Sequence, residues 1–230
     1  MSRLRTPSAR LRWMHDALVA AYGPQKWWPA EASLEVVLGA YLTQSTSWKA
    51  VERSLENLRA AGALTIEGLR RISLEDLQAL IQPSGFFTRK ALALKAFMAM
   101  LDDDFDGSLD GLAATPTEPL RKRLLALPSV GPETADAILL YALGHAVPMA
   151  DEYLRRIAER HKLVPLPARG RIPYQALSDL TRDAFSGALN PEMLQLYNEF
   201  HALTVAVGKS HCRRVARCEG CPLAEDLKEP

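Results

Sequence analysis

Apolar residues recur every three or four positions along nearly the whole chain. The clearest stripes are Leu11, Met14, Leu18 and Tyr22; Leu34, Val37, Leu38 and Tyr41; and Met193, Leu196, Tyr197, Phe200, Leu203 and Val207. This spacing is typical of one face of an amphipathic helix, and the sequence lacks the sustained β-branched alternation that marks strands. Proline and glycine interrupt the stripes often, so they divide into about ten or more short helices. The sequence therefore predicts an all-α fold.

Composition adds little to this picture. The 230 residues can bury a sizeable core, and 48% hydrophobic with 24% charged residues is ordinary for a globular protein. No apolar run is long enough to cross a bilayer, and we recognise no secretory signal, so we expect a cytoplasmic protein without a membrane partner. The net charge is +1. Basic clusters such as Arg121–Arg123 could still form one face for a polyanion, although each could equally be a solvated helix face.

A glycine turn lies between two apolar helical stretches at residues 128–132, with the sequence Pro-Ser-Val-Gly-Pro. Pro132 suits the first turn of a helix, where its missing N–H is harmless. Gly131 allows a positive φ and a close approach by another molecule. The free N–H groups that begin the second helix could bind a phosphate. A sequence-neutral grip on a nucleic-acid backbone and an ordinary corner between two helices are equally compatible with this segment.

A single carboxylate, Asp151, precedes the next helical stripe of Leu154, Ile157 and Ala158. This position predicts an N-cap, in which the side chain accepts a hydrogen bond from an early N–H of the helix. Capping alone would explain the residue. The helix between Glu133 and Leu143 would, however, return the chain and bring Asp151 near whatever the glycine turn binds.

Together these two segments resemble the helix-hairpin-helix DNA glycosylases of the endonuclease III superfamily. The signature of that family, L-P-G-V-G followed after one helix by an aspartate, reads here as Leu127–Gly131 and Asp151–Ile157. The resemblance covers about residues 27–222. It implies two helical domains flanking a DNA-binding cleft: a six-helix domain with the hairpin at 31–146, and a second domain, 1–30 with 147–230, that carries Asp151 and a degenerate cysteine loop. It also implies that Asp151 is catalytic.

Glu133 departs from one branch of that family. Members that also cut the strand carry a lysine two residues after the last glycine of the signature, and that lysine forms a Schiff base. Glutamate cannot form an imine, so we expect a monofunctional glycosylase. Asp151 would then either activate water or stabilise the cationic sugar by its charge. Glu133 itself would be a first-turn acid favoured by the helix dipole, or would line the base pocket.

Tryptophans near two helix starts suggest the substrate. The segment Trp27-Trp28-Pro29 and then Trp48, which follows Leu42-Thr-Gln-Ser-Thr-Ser, resemble the 3-methyladenine glycosylase branch, in which aromatic rings hold the damaged purine. Alkylation at a ring nitrogen makes the base cationic and weakens its bond to the sugar, and a cation gains from stacking on indole. Core packing is the alternative for these residues.

Reaching the base requires flipping the nucleotide out of the duplex. The resemblance implies that Gln44 fills the vacated space, that Phe86 wedges the opposite strand and that Arg89 and Lys90 contact phosphate. It also implies backbone contacts from Ser129, Val130, Gly131 and Thr134 of the hairpin. Without the resemblance, Gln44 would be a helix-terminal Gln and Phe86 a buried Phe. Arg89 and Lys90 would be a solvated basic pair.

All three cysteines lie near the end of the chain, at Cys212, Cys218 and Cys221. In a cytosolic protein this spacing favours a metal over a disulfide. The resemblance implies a [4Fe-4S] loop with four cysteines, but the fourth place here is Leu227, and such a cluster normally needs four protein ligands. His211 or His201 could supply a fourth ligand only from an unexpected place. We therefore expect a lost cluster, and no cofactor is needed for the chemistry.

The reading that combines these features is a monofunctional DNA glycosylase that excises alkylated purines such as 3-methyladenine. Its expected partner is double-stranded DNA with a damaged base, and we expect a nucleoid-associated monomer. Two alternatives stay open: a mismatch or oxidised-pyrimidine glycosylase of the endonuclease III type, and a catalytically silent DNA-binding protein.

Overall fold

The computed structural model describes residues 6–25, 33–187 and 190–227, and for residues 190 and 191 it describes the backbone alone. Within these ranges every regular element is helical, which confirms the predicted all-α fold. None of the described helices is long and apolar enough to cross a membrane. Trp27, Trp28 and Pro29, which we expect in the base pocket, lie outside the described residues.

The chain divides into two compact units. Unit 1 combines Met1–Trp28 with Ala146–Pro230, and unit 2 is Pro29–His145. The expected division placed its boundaries at 30/31 and 146/147. Unit 1 therefore contains Asp151 and the cysteines, and unit 2 contains the glycine turn.

Unit 1 is built on two long helices and two shorter ones. Its helices are α1 (Pro7–Tyr22), α10 (Glu152–Arg160), α11 (Tyr174–Ala184) and α12 (Asn190–Ser210), with a short 3-10 turn at Ala224–Leu227. The predicted stripe of α1 is buried at Leu11, Met14 and Leu18. α1 packs against α11 and α12, and α12 also packs against α10. The core of this unit therefore lies around α1 and α12.

Unit 2 contains eight described α-helices where the resemblance implied six. They are α2 (Ser33–Leu42), α3 (Trp48–Ala60), α4 (Ile66–Arg71), α5 (Leu74–Ile81), α6 (Phe87–Phe105), α7 (Leu109–Ala113), α8 (Thr117–Leu125) and α9 (Pro132–Ala137). Two of them, α4 and α7, are short helices capped by the hydroxyls of Thr65 and Ser108. A 3-10 turn at Gln82–Ser84 precedes α6.

The helix after the glycine turn changes its winding midway. α9 continues without a break into a π-helical segment, Ile138–Ala142, and the Leu143 N–H donates to the Ile138 carbonyl five residues earlier at 3.1 Å. The sequence predicts one helix over Glu133–Leu143 and gives no sign of this wider turn. The segment packs against α2 and is almost entirely buried, so tertiary contacts rather than local propensity set the winding here.

Candidate functional site

The glycine turn joins α8 and α9 as predicted, but its strained residue is a different one. Gly131 has φ −95°, which any residue adopts, whereas Ser129 has φ +62°. This corrects the expectation that Gly131 supplies the positive φ. The family signature has a glycine where this chain has Ser129, and a left-handed serine costs about 1–2 kcal/mol. Pro132 begins α9, as expected.

Gly131 is nevertheless a site of open approach. A Cβ placed on this residue would meet no other atom of the described chain within 4 Å, and the residue is exposed. Neither the backbone angle nor the packing of unit 2 therefore requires a glycine here. What the missing Cβ leaves open is the outer side of the turn, beside the first N–H groups of α9, which have no carbonyl partner within the helix.

A buried ion pair holds the two helices of the hairpin together. The Arg121 Nε and a terminal nitrogen of its guanidinium donate to the two oxygens of Asp136 at 2.6 and 3.0 Å, and Asp136 is only 2% exposed. Such a two-point contact fixes direction as well as distance. Arg121 is therefore not part of a solvated basic face, because it joins α8 to α9.

Gln44, expected to fill the space of a flipped base, is bonded to the hairpin. Its amide nitrogen donates to the Ser129 carbonyl at 2.9 Å and to the Thr134 hydroxyl at 3.0 Å. Val130 and Thr134, also expected to contact DNA, have buried side chains. Only their backbone can serve such a contact. The Gln44 bonds hold the turn after α2 against the strained Ser129.

The structure contradicts the expected role of Lys90. We expected it to contact phosphate together with Arg89, but its side chain is buried at 1% exposure. Its Nζ donates to the carbonyls of Leu42 and Ser84, both at 2.8 Å. Burial, and to a lesser degree the charge of Arg89, lowers the pKa of Lys90 to about 8. Lys90 thus joins the turn that carries Gln44 to the turn that precedes Phe86.

Phe86 is the largest exposed aromatic side chain of the turn before α6. It is 62% exposed, and its φ of +46° is unusual for so bulky a residue. The exposed Arg89 lies over its ring, with the guanidinium carbon 5.5 Å from the ring centre. An apolar ring held outward in a costly conformation is consistent with contact to another molecule. Its role as a wedge stays a prediction.

Only two of the five residues expected in the base pocket, Trp48 and Glu133, lie among the described residues. Trp48 is the first residue of α3 and is half-buried, and Glu133 is exposed on the first turn of α9. The other three residues of the expected pocket lie in the part of the chain without description. The pocket therefore stays a prediction for all five positions.

Asp151 is the N-cap of α10, as predicted. Its Oδ1 accepts a hydrogen bond from the Leu154 N–H at 2.8 Å. Its Oδ2 lies 3.4 Å from the Nε2 of His201 on α12, and the Asp151 side chain is 9% exposed. No arginine or lysine pairs with this carboxylate in the residues that the structure describes. No sequence pattern predicts the contact with His201, which the cysteine spacing suggests only as a possible fourth metal ligand.

The neighbouring acid, Glu152, is treated differently. Its carboxylate accepts from the guanidinium of Arg155, and Arg156 and Arg171 lie within ion-pair distance at 3.5 and 3.3 Å. The hydrogen bond from Arg155, opposed by burial and aided by the three positive charges, lowers the pKa of Glu152. Two consecutive acids thus differ, since Glu152 is surrounded by guanidinium groups and Asp151 is not.

The cysteines lie in the loop after α12, and they do not form a complete cluster site. Cys212 is buried, Cys221 is half-buried and Cys218 is exposed, and Leu227 at the fourth place is 46% exposed. Within residues 6–25, 33–187 and 190–227 no three His, Cys, Asp or Glu side chains are arranged to hold a metal ion. These residues do not fit a four-ligand cluster, so we derive no chemistry from one. That the chain binds no cluster stays a prediction.

Side chains of α1, α10 and His161 contact the cysteine loop and the turn that follows it. An Arg160 nitrogen lies 3.0 Å from the sulfur of Cys212, and the Arg156 Nε donates to the Cys212 carbonyl at 3.0 Å. At the end of the loop, Asp226 accepts from Arg10 at 2.8 and 2.6 Å and contacts the Nδ1 of His161 at 2.7 Å. Burial opposes ionisation of Asp226, but the bonds from His161 and Arg10 outweigh it and lower its pKa to about 2.

Comparison with known proteins identifies the family of this chain. Residues 38–176, which hold the hairpin and Asp151, match the model of the HhH-GPD superfamily of base excision DNA repair proteins. The chain belongs to this superfamily. It is 38% identical over 214 residues, 92% of this chain and 93% of the relative, to a provisionally assigned DNA repair glycosylase of Methanocaldococcus jannaschii. An endonuclease III-like protein 1 of Bos taurus is 28% identical over 90% of this chain and 64% of its own.

Solved structures of the superfamily share the fold. A 3-methyladenine DNA glycosylase of H. pylori, bound to 1,N6-ethenoadenine, has a TM-score of 0.73 at 26% identity and covers 89% of this chain and 98% of its own. An endonuclease III–DNA complex has a TM-score of 0.73 at 19% identity and covers 95% and 94%. This HhH-GPD protein is thus a DNA glycosylase of base excision repair.

Proposed function

We propose that this HhH-GPD protein is a monofunctional glycosylase that removes alkylated purines, such as 3-methyladenine, from double-stranded DNA. It would act as a monomer associated with the nucleoid, and it would need no cofactor for the chemistry. The flipped nucleotide would present its sugar to Asp151, and the bond between C1′ and the base nitrogen would break.

The observation that carries the proposal is that the Asp151 carboxylate is largely buried and has no arginine or lysine partner among the described residues. A capping aspartate needs only the bond to the Leu154 N–H, and a carboxylate that serves the fold alone is normally paired when it is largely buried. A negative charge held at 9% exposure without a guanidinium partner in the described chain suits a cationic transition state. A protein that only binds DNA would gain nothing from this charge near phosphates.

The proposed chemistry needs no lysine. When C1′–N cleavage begins, the electron pair leaves with an alkylated base that already carries a positive charge, so the base needs no added proton. The sugar becomes cationic, and water then adds its oxygen to C1′ and releases a proton. Asp151 stabilises the cation by its charge or accepts that proton. Glu133 stands where a Schiff-base lysine would be required, which supports base release without strand cleavage.

The surfaces of unit 2 support binding to DNA. The hairpin offers backbone N–H groups beside an open Gly131. Phe86, just before α6, and Arg89, in the first turn of α6, are both exposed. Gln44 and Lys90 connect the turns that carry these groups, so unit 2 presents them in a fixed arrangement. Alkylpurine specificity draws its support from the similarity to the H. pylori 3-methyladenine glycosylase, whereas Glu133 supports only the absence of strand cleavage.

The test is to identify what the protein releases. Purified protein is incubated with duplexes carrying alkylated purines, thymine glycol or a G·T mismatch, and the released bases are separated by chromatography. We expect methylated purine in solution, intact strands until alkali is added, and no covalent adduct after borohydride treatment. Release of thymine glycol with strand cleavage would favour the endonuclease III alternative instead. Binding to all duplexes without release would favour the silent DNA-binding alternative.

A further inference from the structure

The two oxygens of the Asp151 carboxylate have different partners. The cap bond from Leu154 holds Oδ1, while Oδ2 faces the Nε2 of His201 at 3.4 Å. A single hydrogen bond leaves a carboxylate able to turn about its terminal bond. A second contact on the other oxygen fixes the plane of the group.

His201 is well placed to provide such a fixed contact. It is 5% exposed and lies in the middle of α12, which is one of the longest helices of unit 1. Seven residues later on the same face, Gly208 allows Tyr153 of α10 to approach so closely that a Cβ would lie 2.1 Å from its ring. α12 and α10 are therefore held at a short separation, and the distance from His201 to Asp151 is held with them.

A second histidine–aspartate contact in the same unit shows what a structural pair looks like here. His161 and Asp226 are also buried and closer, at 2.7 Å, but Arg10 binds both oxygens of Asp226 and neutralises it. Asp151 has no such guanidinium among the described residues. The contact of His201 thus holds the Asp151 carboxylate and leaves it without a permanent positive partner.

We propose that His201 is a positioning residue that fixes the Asp151 carboxylate in the orientation in which its charge faces the developing cation of the sugar. This rests on the proposed function, since it assumes that Asp151 is catalytic. Charge stabilisation by a preorganised group depends on its distance and direction, and a group locked by neighbours loses nothing to reorganisation during the reaction. His201 acts only through Asp151 and need not touch DNA.

The test measures this stabilisation without reference to the damaged base. Two duplexes are compared, one with a pyrrolidine abasic analogue whose protonated ring mimics the cationic sugar, and one with the neutral tetrahydrofuran analogue. The ratio of their dissociation constants reports the charge stabilisation that Asp151 provides. We expect a preference for the cation in the unmodified protein and its loss in Asp151→Asn.

The variants then separate positioning from folding. We expect His201→Leu to reduce the preference about tenfold, the size of a typical coupling between contacting residues, with affinity for the neutral duplex unchanged. His201→Gln keeps a donor and should restore most of the preference. In the Asp151→Asn background, His201→Leu should have no further effect. His161→Leu is the matched control, which should lower the melting temperature and leave the preference intact.

Each other outcome is decisive. A preference unchanged in both His201 variants would overturn the positioning role. The same would follow from an equal loss with and without the Asp151 carboxylate, because His201 would then act independently. If His201→Leu does not fold, His201→Ala, which also removes the contact with Asp151, takes its place in the test. Absence of any preference in the unmodified protein would instead remove the proposed function of Asp151, and the role of His201 with it.

Discussion

Two buried aspartates lie near opposite ends of α10 in different electrostatic surroundings: Asp151 caps its start, and Asp226 contacts His161 just after its end. At its start, Asp151 contacts the Leu154 N–H and His201; beyond its end, Asp226 contacts His161 and is also bound by Arg10. Both carboxylates cost solvation when they are buried. At Asp226 the chain offsets that cost with a guanidinium, as it must for a structural role. At Asp151 it does not, among the residues that the structure describes, and we propose that this difference distinguishes a catalytic carboxylate from a structural one.

The largest effect on stability is expected from Arg10→Gln. The substitution leaves Asp226 buried beside His161 alone and removes the bond from Arg10 to the His161 carbonyl, at 2.7 Å. Breaking one side of a buried pair costs about 3 kcal/mol. Urea unfolding followed by circular dichroism would measure the loss.

Base release measured on the folded fraction of Arg10→Gln should equal that of the unmodified protein. A loss of release with unchanged stability would break the comparison, because it would place the structural end of α10 in the reaction.

The stability that Asp226 contributes should be lost in acid. The pKa of Asp226 is lowered to about 2, whereas the unfolded chain has an ordinary aspartate near 3.9. The stabilisation is therefore complete above about pH 4 and is lost as the pH falls towards about 2. We expect it to amount to about 1–2 kcal/mol, allowing for solvent screening.

The measurement is the free energy of unfolding between these pH values for the unmodified protein and for Asp226→Asn. Parallel curves would show that Asp226 contributes nothing to the acid sensitivity, and would remove the contrast between the two ends of the helix.

The smallest effect is expected from Glu152→Gln, next to Asp151. Glu152 is exposed and surrounded by arginines, and surface pairs of this kind contribute about 0–1 kcal/mol. Single-turnover base release should change by less than about twofold, since this charge is already neutralised. A fall in base release as large as that of Asp151→Asn would mean that an acid at the start of α10 contributes to the reaction whether or not arginines pair with it.

Local patterns in the sequence predicted the parts of the site that depend on neighbouring residues. The helical stripes, Pro132 at the start of α9 and Asp151 as the cap of α10 follow from spacing and capping chemistry over a few positions. The resemblance to a family added the hairpin and its lysine position. These features were predictable because short-range rules determine them.

The parts that could not be predicted depend on contacts between distant segments. Lys90 reads as a solvated base beside Arg89, yet its ammonium binds the Leu42 carbonyl 48 residues away. Ser129 rather than Gly131 takes the positive φ, in a turn that Gln44 supports from the turn after α2. His201 lies 50 residues from Asp151. No spacing rule brings such pairs together, because packing alone determines them.

The most direct test of the account compares Asp151→Asn with Asp226→Asn in single-turnover release of methylated purine from duplex DNA. Asparagine caps a helix as well as aspartate, so the first exchange should leave α10 folded. We predict that Asp151→Asn slows release at least about 100-fold with little change in unfolding free energy. Asp226→Asn should instead lower the unfolding free energy and leave the rate of release nearly unchanged. Equal release by Asp151→Asn and the unmodified protein would contradict the account, because the Asp151 carboxylate would then have no part in breaking the bond to the base.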